Sequence, residues 1–88
     1  MPQITLTVHH EAGLHARPAS LFIQAAKQFE SDIKVSYDKR EANAKSILSV
    51  LTLGAERGAV VTVRAEGKDA DEALEALKTL VESNFEVE

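Results

Sequence analysis

A two-layer α+β fold, four antiparallel strands with three helices on one face, is predicted by three features of this 88-residue chain. Several segments alternate apolar and polar residues with period two, the mark of strands with one buried and one wet face, typical of antiparallel pairing. Between them lie segments whose apolar residues recur at helical spacing. Turn and cap residues punctuate the chain in the order β-α-β-β-α-β-α, which gathers the helices over the apolar side of one sheet.

Each element follows from its residues. Ile4, Leu6 and Val8 alternate with Gln3, Thr5 and Thr7 in the first strand. Gly13 ends that unit in a loop, and a helix is expected from about Ala16. Its stripe runs through Ala19, Phe22, Ala26 and Phe29, widened by Ile23. Ile33, Val35 and Tyr37 alternate with Lys34 and Ser36 in a second strand, and Asp38-Lys39-Arg40 turns the chain into a short third strand over 40–43. A short helix begins near Ser46 and carries Ile47, Leu48, Val50 and Leu51, with Gly54 placed to cap its C-terminal end in a left-handed conformation. Val61, Val63 and Ala65 then face one way while Thr62, Arg64 and Glu66 face the other. Gly67 turns into the last helix, where Asp69 and Glu72 have the spacing of a capping box ahead of the stripe Ala73, Leu74, Leu77, Leu80 and Val81.

Size and composition narrow the function. No linker, repeat or low-complexity run divides the chain, so residues 1–88 are expected to form one domain. A chain this short buries only about 60–65% of the surface its unfolded form exposes, so chemistry is expected on the surface rather than in a substrate-sized cavity. Hydrophobic content of 44% and charge of 27% are ordinary for a soluble globular fold. Cysteine is absent, so no disulfide and no cysteine-ligated metal supports the core. The stretch Met1-Pro2-Gln3-Ile4 carries neither a basic run nor a long apolar segment, so no signal peptide is expected, nor is any apolar run long enough to span a bilayer. A net charge of −4 argues against a general nucleic-acid binder, which needs a basic surface. The expected setting is the cytoplasm.

The stretch Gly13-Leu14-His15-Ala16-Arg17-Pro18-Ala19 is the richest in chemistry. N–H groups in a helix's first turn lack intrahelical acceptors, and the aligned peptide dipoles add about half a positive charge there. With His15 as N-cap, the free N–H groups of Ala16 and Arg17 would face a phosphate on its ring. A neutral imidazole is nucleophilic and can take up and release a phosphoryl group near neutral pH. Arg17 adds a permanent charge with planar donors suited to phosphate oxygens. Pro18 lacks an N–H, which an opening turn leaves unpaired anyway, although a residue before proline is biased away from helical angles, so Arg17 is expected to mark an irregular first turn. Spacing alone leaves two readings open: a phosphoryl acceptor, or a polar helix cap beside a solvated arginine. His9 and His10 are adjacent at a strand end and point to opposite faces, a poor geometry for one metal, so both are read as surface residues and no metal site is expected.

Two motifs, Gly13-Leu14-His15-Ala16-Arg17-Pro18-Ala19 and Ala44-Lys45-Ser46-Ile47-Leu48 running on to Thr52-Leu53-Gly54, together with Ala65-Glu66-Gly67, make the chain resemble HPr, the histidine-containing phosphocarrier family of the bacterial phosphoenolpyruvate-dependent sugar phosphotransferase system. The resemblance implies an open-faced β-sandwich. It implies that His15 accepts phosphate on Nδ1 from phosphorylated enzyme I and passes it to the IIA domain of a sugar permease, with Arg17 stabilising the phosphorylated state. It implies a carrier rather than an enzyme with turnover of its own, working as a monomer without a cofactor. Ala12 departs from the small polar residue many members carry before the glycine, so a side-chain hydrogen bond from that position is lost.

Ser46 is a preferred N-cap residue for the short helix. In similar proteins of many bacteria it is also phosphorylated by an ATP-dependent HPr kinase/phosphorylase, and the modified protein partners a transcriptional regulator. A phosphate adds about −1.5 to −2 charge, which a helix N-terminus tolerates but an acidic partner surface near His15 would not. Ile47, Leu48 and Leu51 cannot all reach the core from so short a helix. Either a small domain leaves some apolar side chains exposed, or they form a docking patch beside His15 with Leu21 and Gln24 from the first helix. The resemblance implies that this patch is the site for enzyme I and IIA domains. Such contacts must be transient, because one small face serves several partners in turn. Two alternatives stand beside this reading: a carrier of the nitrogen-related phosphotransferase branch, and a mainly regulatory HPr-like module acting through Ser46.

Overall fold

The computed structural model describes residues 2–86. Four strands, β1 (Gln3–Thr7), β2 (Asp32–Tyr37), β3 (Arg40–Asn43) and β4 (Val60–Glu66), form one sheet in the order β1-β4-β2-β3. Every neighbouring pair is antiparallel: Ile4 lies opposite Val63, Val35 opposite both Val63 and Ala42. Three helices, α1 (Ala16–Ala26), α2 (Ile47–Thr52) and α3 (Ala70–Glu82), complete an open-faced β-sandwich. The expected order and one-sided architecture are both present.

Alternation sets which face is covered. Leu6, Ile33, Val35, Ala42, Val61, Val63 and Ala65 are buried, while Gln3, Thr5, Asp32, Lys34, Glu41 and Asn43 line the open face. There Arg64 of β4 reaches across β2 to pair with Glu41 of β3. The covered side receives Ala19, Phe22 and Ala26 from α1, Val50 from α2, and Ala73, Leu74, Leu77 and Val81 from α3. Phe22, Leu14, Ile33, Leu53 and Leu77 are the largest fully buried side chains.

The helix ends show where local signals hold. Ser46 caps α2 as expected, its Oγ accepting from the Ser49 N–H at 3.3 Å. Gly54 follows α2 at φ +76°, and Arg40 Nη1 donates to the Leu53 carbonyl, satisfying a C-terminal acceptor. α1 stops at Ala26, so Phe29 packs half-buried from the turn beyond the helix rather than extending its stripe. The bonds Gln28 N–H to Ala25 O and Phe29 N–H to Ala26 O mark the tightened turn that ends it.

Asp69 corrects the capping-box expectation. It is the N-cap of α3, yet its side chain makes no cap hydrogen bond. The carboxylate instead accepts from Glu30 N–H at 2.8 Å, from Ser31 N–H at 2.9 Å and from Ser31 Oγ. Three donors converge on it because Gly67, at φ +150°, brings the chain against Ser31; a Cβ at Gly67 would stand 2.7 Å from Ser31 Cα. The turn before β2 is thereby fastened to the start of α3. The Ser31 hydroxyl, with the Glu30 and Ser31 N–H groups adding to it, holds the Asp69 carboxyl below its ordinary value of 3.8. Below that ordinary value the unfolded chain takes up the proton before the fold does, so the clamp stabilises fully above it, begins to fade there, and is lost as pH falls through the lowered value in the fold. Asp69→Asn is therefore expected to lower the urea midpoint at neutral pH and to approach the parent below about pH 4, as measured by denaturation at a series of pH values.

Candidate functional site

His15 stands between two loops that the backbone ties together. Leu14, fully buried, anchors one loop and donates its N–H to Ala55 O at 2.9 Å. The 55–59 loop is fastened in turn by Ala59 N–H to Glu56 O at 2.9 Å, Gly58 N–H to Val8 O at 2.7 Å and Val8 N–H to Ala59 O at 2.8 Å. Gly13 lies where the two loops meet, at φ +68°, and a Cβ there would stand 2.7 Å from Ala55 O and 2.8 Å from Glu56 Cα. Only glycine fits this approach, both for its backbone angle and for its missing side chain.

His15 is the N-cap of α1, in extended conformation, and its ring makes no cap hydrogen bond. The first bond of the helix is Ala19 N–H to His15 O at 3.3 Å. Ala16 and Arg17 N–H groups donate to no protein acceptor among the described residues, and Pro18 has no N–H to lose. A serine or aspartate cap would have consumed one of these donors; the imidazole leaves them open to an anion. The expected irregularity of the first turn is real but falls one residue earlier, at Ala16, whose φ is +50°. A left-handed angle at a non-glycine residue costs about 1–3 kcal/mol and is held only by its surroundings. Arg17 is exposed, and no ion pair occupies it among the described residues.

The residue that sequence reasoning missed is Glu56. Its Oε2 lies 2.8 Å from His15 Nε2, across 41 positions of sequence. No local pattern signals such a pair; it arises from the docking of the two loops. An ionised carboxylate only accepts, so His15 Nε2 is the donor. Position 12 contributes no side-chain bond, as expected, and the Ala12 N–H donates to His10 Nδ1 at 3.0 Å. His10 is thus a half-buried loop brace, its ring edge-on to Phe85 at 6.0 Å, rather than the free surface residue expected. His9 is exposed, and no cluster of metal-ligating side chains occurs among the described residues.

The second motif lies beside the first, with α2 packed against α1. Ser46 is half-buried, and its hydroxyl is engaged only as the N-cap acceptor described above. Leu48 is 71% exposed and Ile47 40% exposed, whereas Leu51 and Leu21 pack half-buried against the core. Gln24 is exposed and bonds Ser20 Oγ at 3.1 Å along α1. The projecting apolar surface is therefore Leu48 with Ile47, and Leu51 supports it from below.

Among the described residues, no helix is long and apolar enough to cross a membrane. The family described as PTS HPr component phosphorylation site matches residues 2–83. HPr-C-His from Thermoanaerobacter tengcongensis is 46% identical with a TM-score of 0.96, the match covering 100% of this chain and 99% of that one. Phosphocarrier protein HPr from Bacillus anthracis is 44% identical with a TM-score of 0.87, covering 91% of this chain and 95% of that one. Crh, the Bacillus subtilis catabolite repression protein, is 42% identical with a TM-score of 0.75 in a swapped dimer, covering 94% of this chain and 95% of that one.

The close approach at Gly13 makes a direct prediction. The left-handed backbone alone costs an alanine about 1–2 kcal/mol, and overlap with Ala55 and Glu56 adds to that. Gly13→Ala is expected to lower the melting temperature by roughly 5–15 °C, read by circular dichroism, for a domain of this size. A melting temperature equal to the parent's contradicts the contact.

Proposed function

The chain belongs to the HPr family of the phosphotransferase system, and on that premise we propose that it carries a phosphoryl group on His15, accepting it from phospho-enzyme I and delivering it to the IIA domains of sugar permeases. One observation carries the reading: a half-exposed imidazole caps a helix without using the amides of the first turn. In the proposed step the Nδ1 lone pair attacks phosphorus. The N–P bond of the donor histidine breaks, and the donor ring keeps the electron pair. Onward transfer reverses the roles, and the pair returns to Nδ1. The Ala16 and Arg17 amides and the Arg17 guanidinium would meet the phosphate oxygens. Histidine suits a carrier because its phosphoramidate forms and breaks near neutral pH.

Leu48 and Ile47 are the proposed docking surface, with Leu51, Leu21 and Gln24 at its edge. Exposed apolar side chains beside a charged site suit partners that bind briefly and in turn. Ser46 is the proposed regulatory site. A phosphate there would place negative charge beside that patch, opposing an acidic partner while leaving the core untouched. Likeness to Crh, whose name carries catabolite repression, favours this second role alongside the first.

His15→Ala is expected to abolish acid-labile labelling from enzyme I and labelled phosphoenolpyruvate while keeping the parent's melting curve. Unchanged labelling of that variant would overturn the assignment. Leu48→Asp is expected to leave stability within about 0.5 kcal/mol, since the side chain is exposed. The same substitution raises the KM for transfer from phospho-enzyme I roughly tenfold, in steady-state transfer assays.

A further inference from the structure

We propose that Glu56 is a positioning residue for the phosphoacceptor: it fixes His15 as the Nε2–H tautomer and aims the bare Nδ1 at the incoming phosphorus. The inference deepens the carrier reading and rests on it for its catalytic consequence. Its structural half stands on the geometry of the unphosphorylated protein.

Three observations support it. The Nε2 to Oε2 separation of 2.8 Å is a full hydrogen bond, and the carboxylate can only accept. Nδ1 has no hydrogen-bond partner among the described residues, so nothing competes for its lone pair. The pair is also preorganised from the backbone, because the Glu56 peptide is held by Ala59, and the adjoining Ala55 carbonyl by Leu14. Side-chain solvation does not undo this: Glu56 is 70% exposed, but the His15 side chain is only 32% exposed and its ring is confined between the loops. A neutral imidazole carries its proton on the nitrogen that faces the acceptor, so a carboxylate at Nε2 leaves Nδ1 bare as the nucleophile.

The contact acts again after transfer. When the Nδ1–P bond forms, the neutral ring becomes an imidazolium that still carries the Nε2 proton. The Glu56 carboxylate faces that proton and compensates the new charge from the side of the ring away from the phosphate. No proton needs to enter or leave. When phosphorus departs to the next acceptor, the electron pair of the N–P bond returns to Nδ1 and the ring is again neutral with its proton on Nε2. A carboxylate holding a histidine tautomer for nucleophilic chemistry is the logic of hydrolase triads, used here on a histidine that is itself the nucleophile.

The test combines a tautomer measurement with a transfer rate, both on Glu56→Ala and the parent. Nitrogen-15 NMR of the neutral His15 ring is expected to show the parent almost wholly protonated on Nε2, and the variant as a mixture of both tautomers. With phospho-enzyme I as donor, kcat/KM of the variant is expected to fall about 3- to 10-fold, the scale of one lost hydrogen bond. Its melting temperature is expected to match the parent's, because the side chain is exposed. A parent protonated on Nδ1, or a variant with the parent's tautomer and rate, overturns the proposal. If the parent takes no phosphate at all, the carrier reading fails, whereas the tautomer result still decides the role of Glu56.

Discussion

A sheet that is apolar on one side and wet on the other is stable only if something covers the apolar side. All four strands here impose that demand together. Leu6, Val35, Val61 and Val63 bring their side chains to one surface, and a shift of one residue in any pairing would turn a strand's set toward water. The amphipathic stripes of α1 and α3 meet the demand, and α2 adds Val50 at the margin. Because the order is β1-β4-β2-β3, α1 must leave β1, cross the covered face and return on the far side of β4. Its first turn consequently lies beyond the end of β1, next to the loop that feeds β4. That placement brings His15 to Glu56.

The strands and helix stripes were legible in the sequence because they depend on period, which any register of the same fold must respect. Even the four-residue β3 was readable, since Ala42 turns inward between exposed neighbours. The features that escaped are those decided by contacts far apart in the chain. Asp69 has the spacing of a local cap, but Glu30 and Ser31 offer three donors from 38 and 39 residues away, and the carboxylate goes to them. Several converging donors outcompete one N–H of a helix turn, a balance no local motif can report. Glu56 escaped for the same reason, being one of many glutamates until Gly13 permits the loops to touch. In the site, the histidine, the arginine and the open amides were readable from the motif, whereas the ring's partner was not.

Left-handed backbone occurs beside the proposed chemistry, as it does at Asp38, Asn84 and Phe85. Ala16 holds φ +50° directly after His15, and Gly13 holds φ +68° directly before Leu14. Two left-handed residues within four positions turn the loop into the helix, and the His15 side chain makes no cap bond to the first-turn amides. Leu14 makes the bend tenable by filling the core completely between them. An apolar anchor thus bears the strain of a polar site: the burial of one leucine contributes about 1.5–3 kcal/mol, the scale of a single left-handed residue.

A carrier has a requirement that an enzyme binding one transition state lacks. It must accept a group readily and release it as readily, so neither state can be held much more tightly than the other. The proposed site suits this, because its stabilising groups are exposed. Arg17 is solvated, the two amides face water when no phosphate is present, and Glu56 is mostly in solvent. Exposed charge pairs contribute about 0–1 kcal/mol each, so none of these groups holds the phosphorylated state strongly. Burying the histidine would make the affinity for phosphate hinge on a large desolvation cost set against a large attraction, a balance that is hard to keep near even. The half-exposed ring of the proposed site, carried on an open rim beside the covered face of the sheet, avoids that dependence.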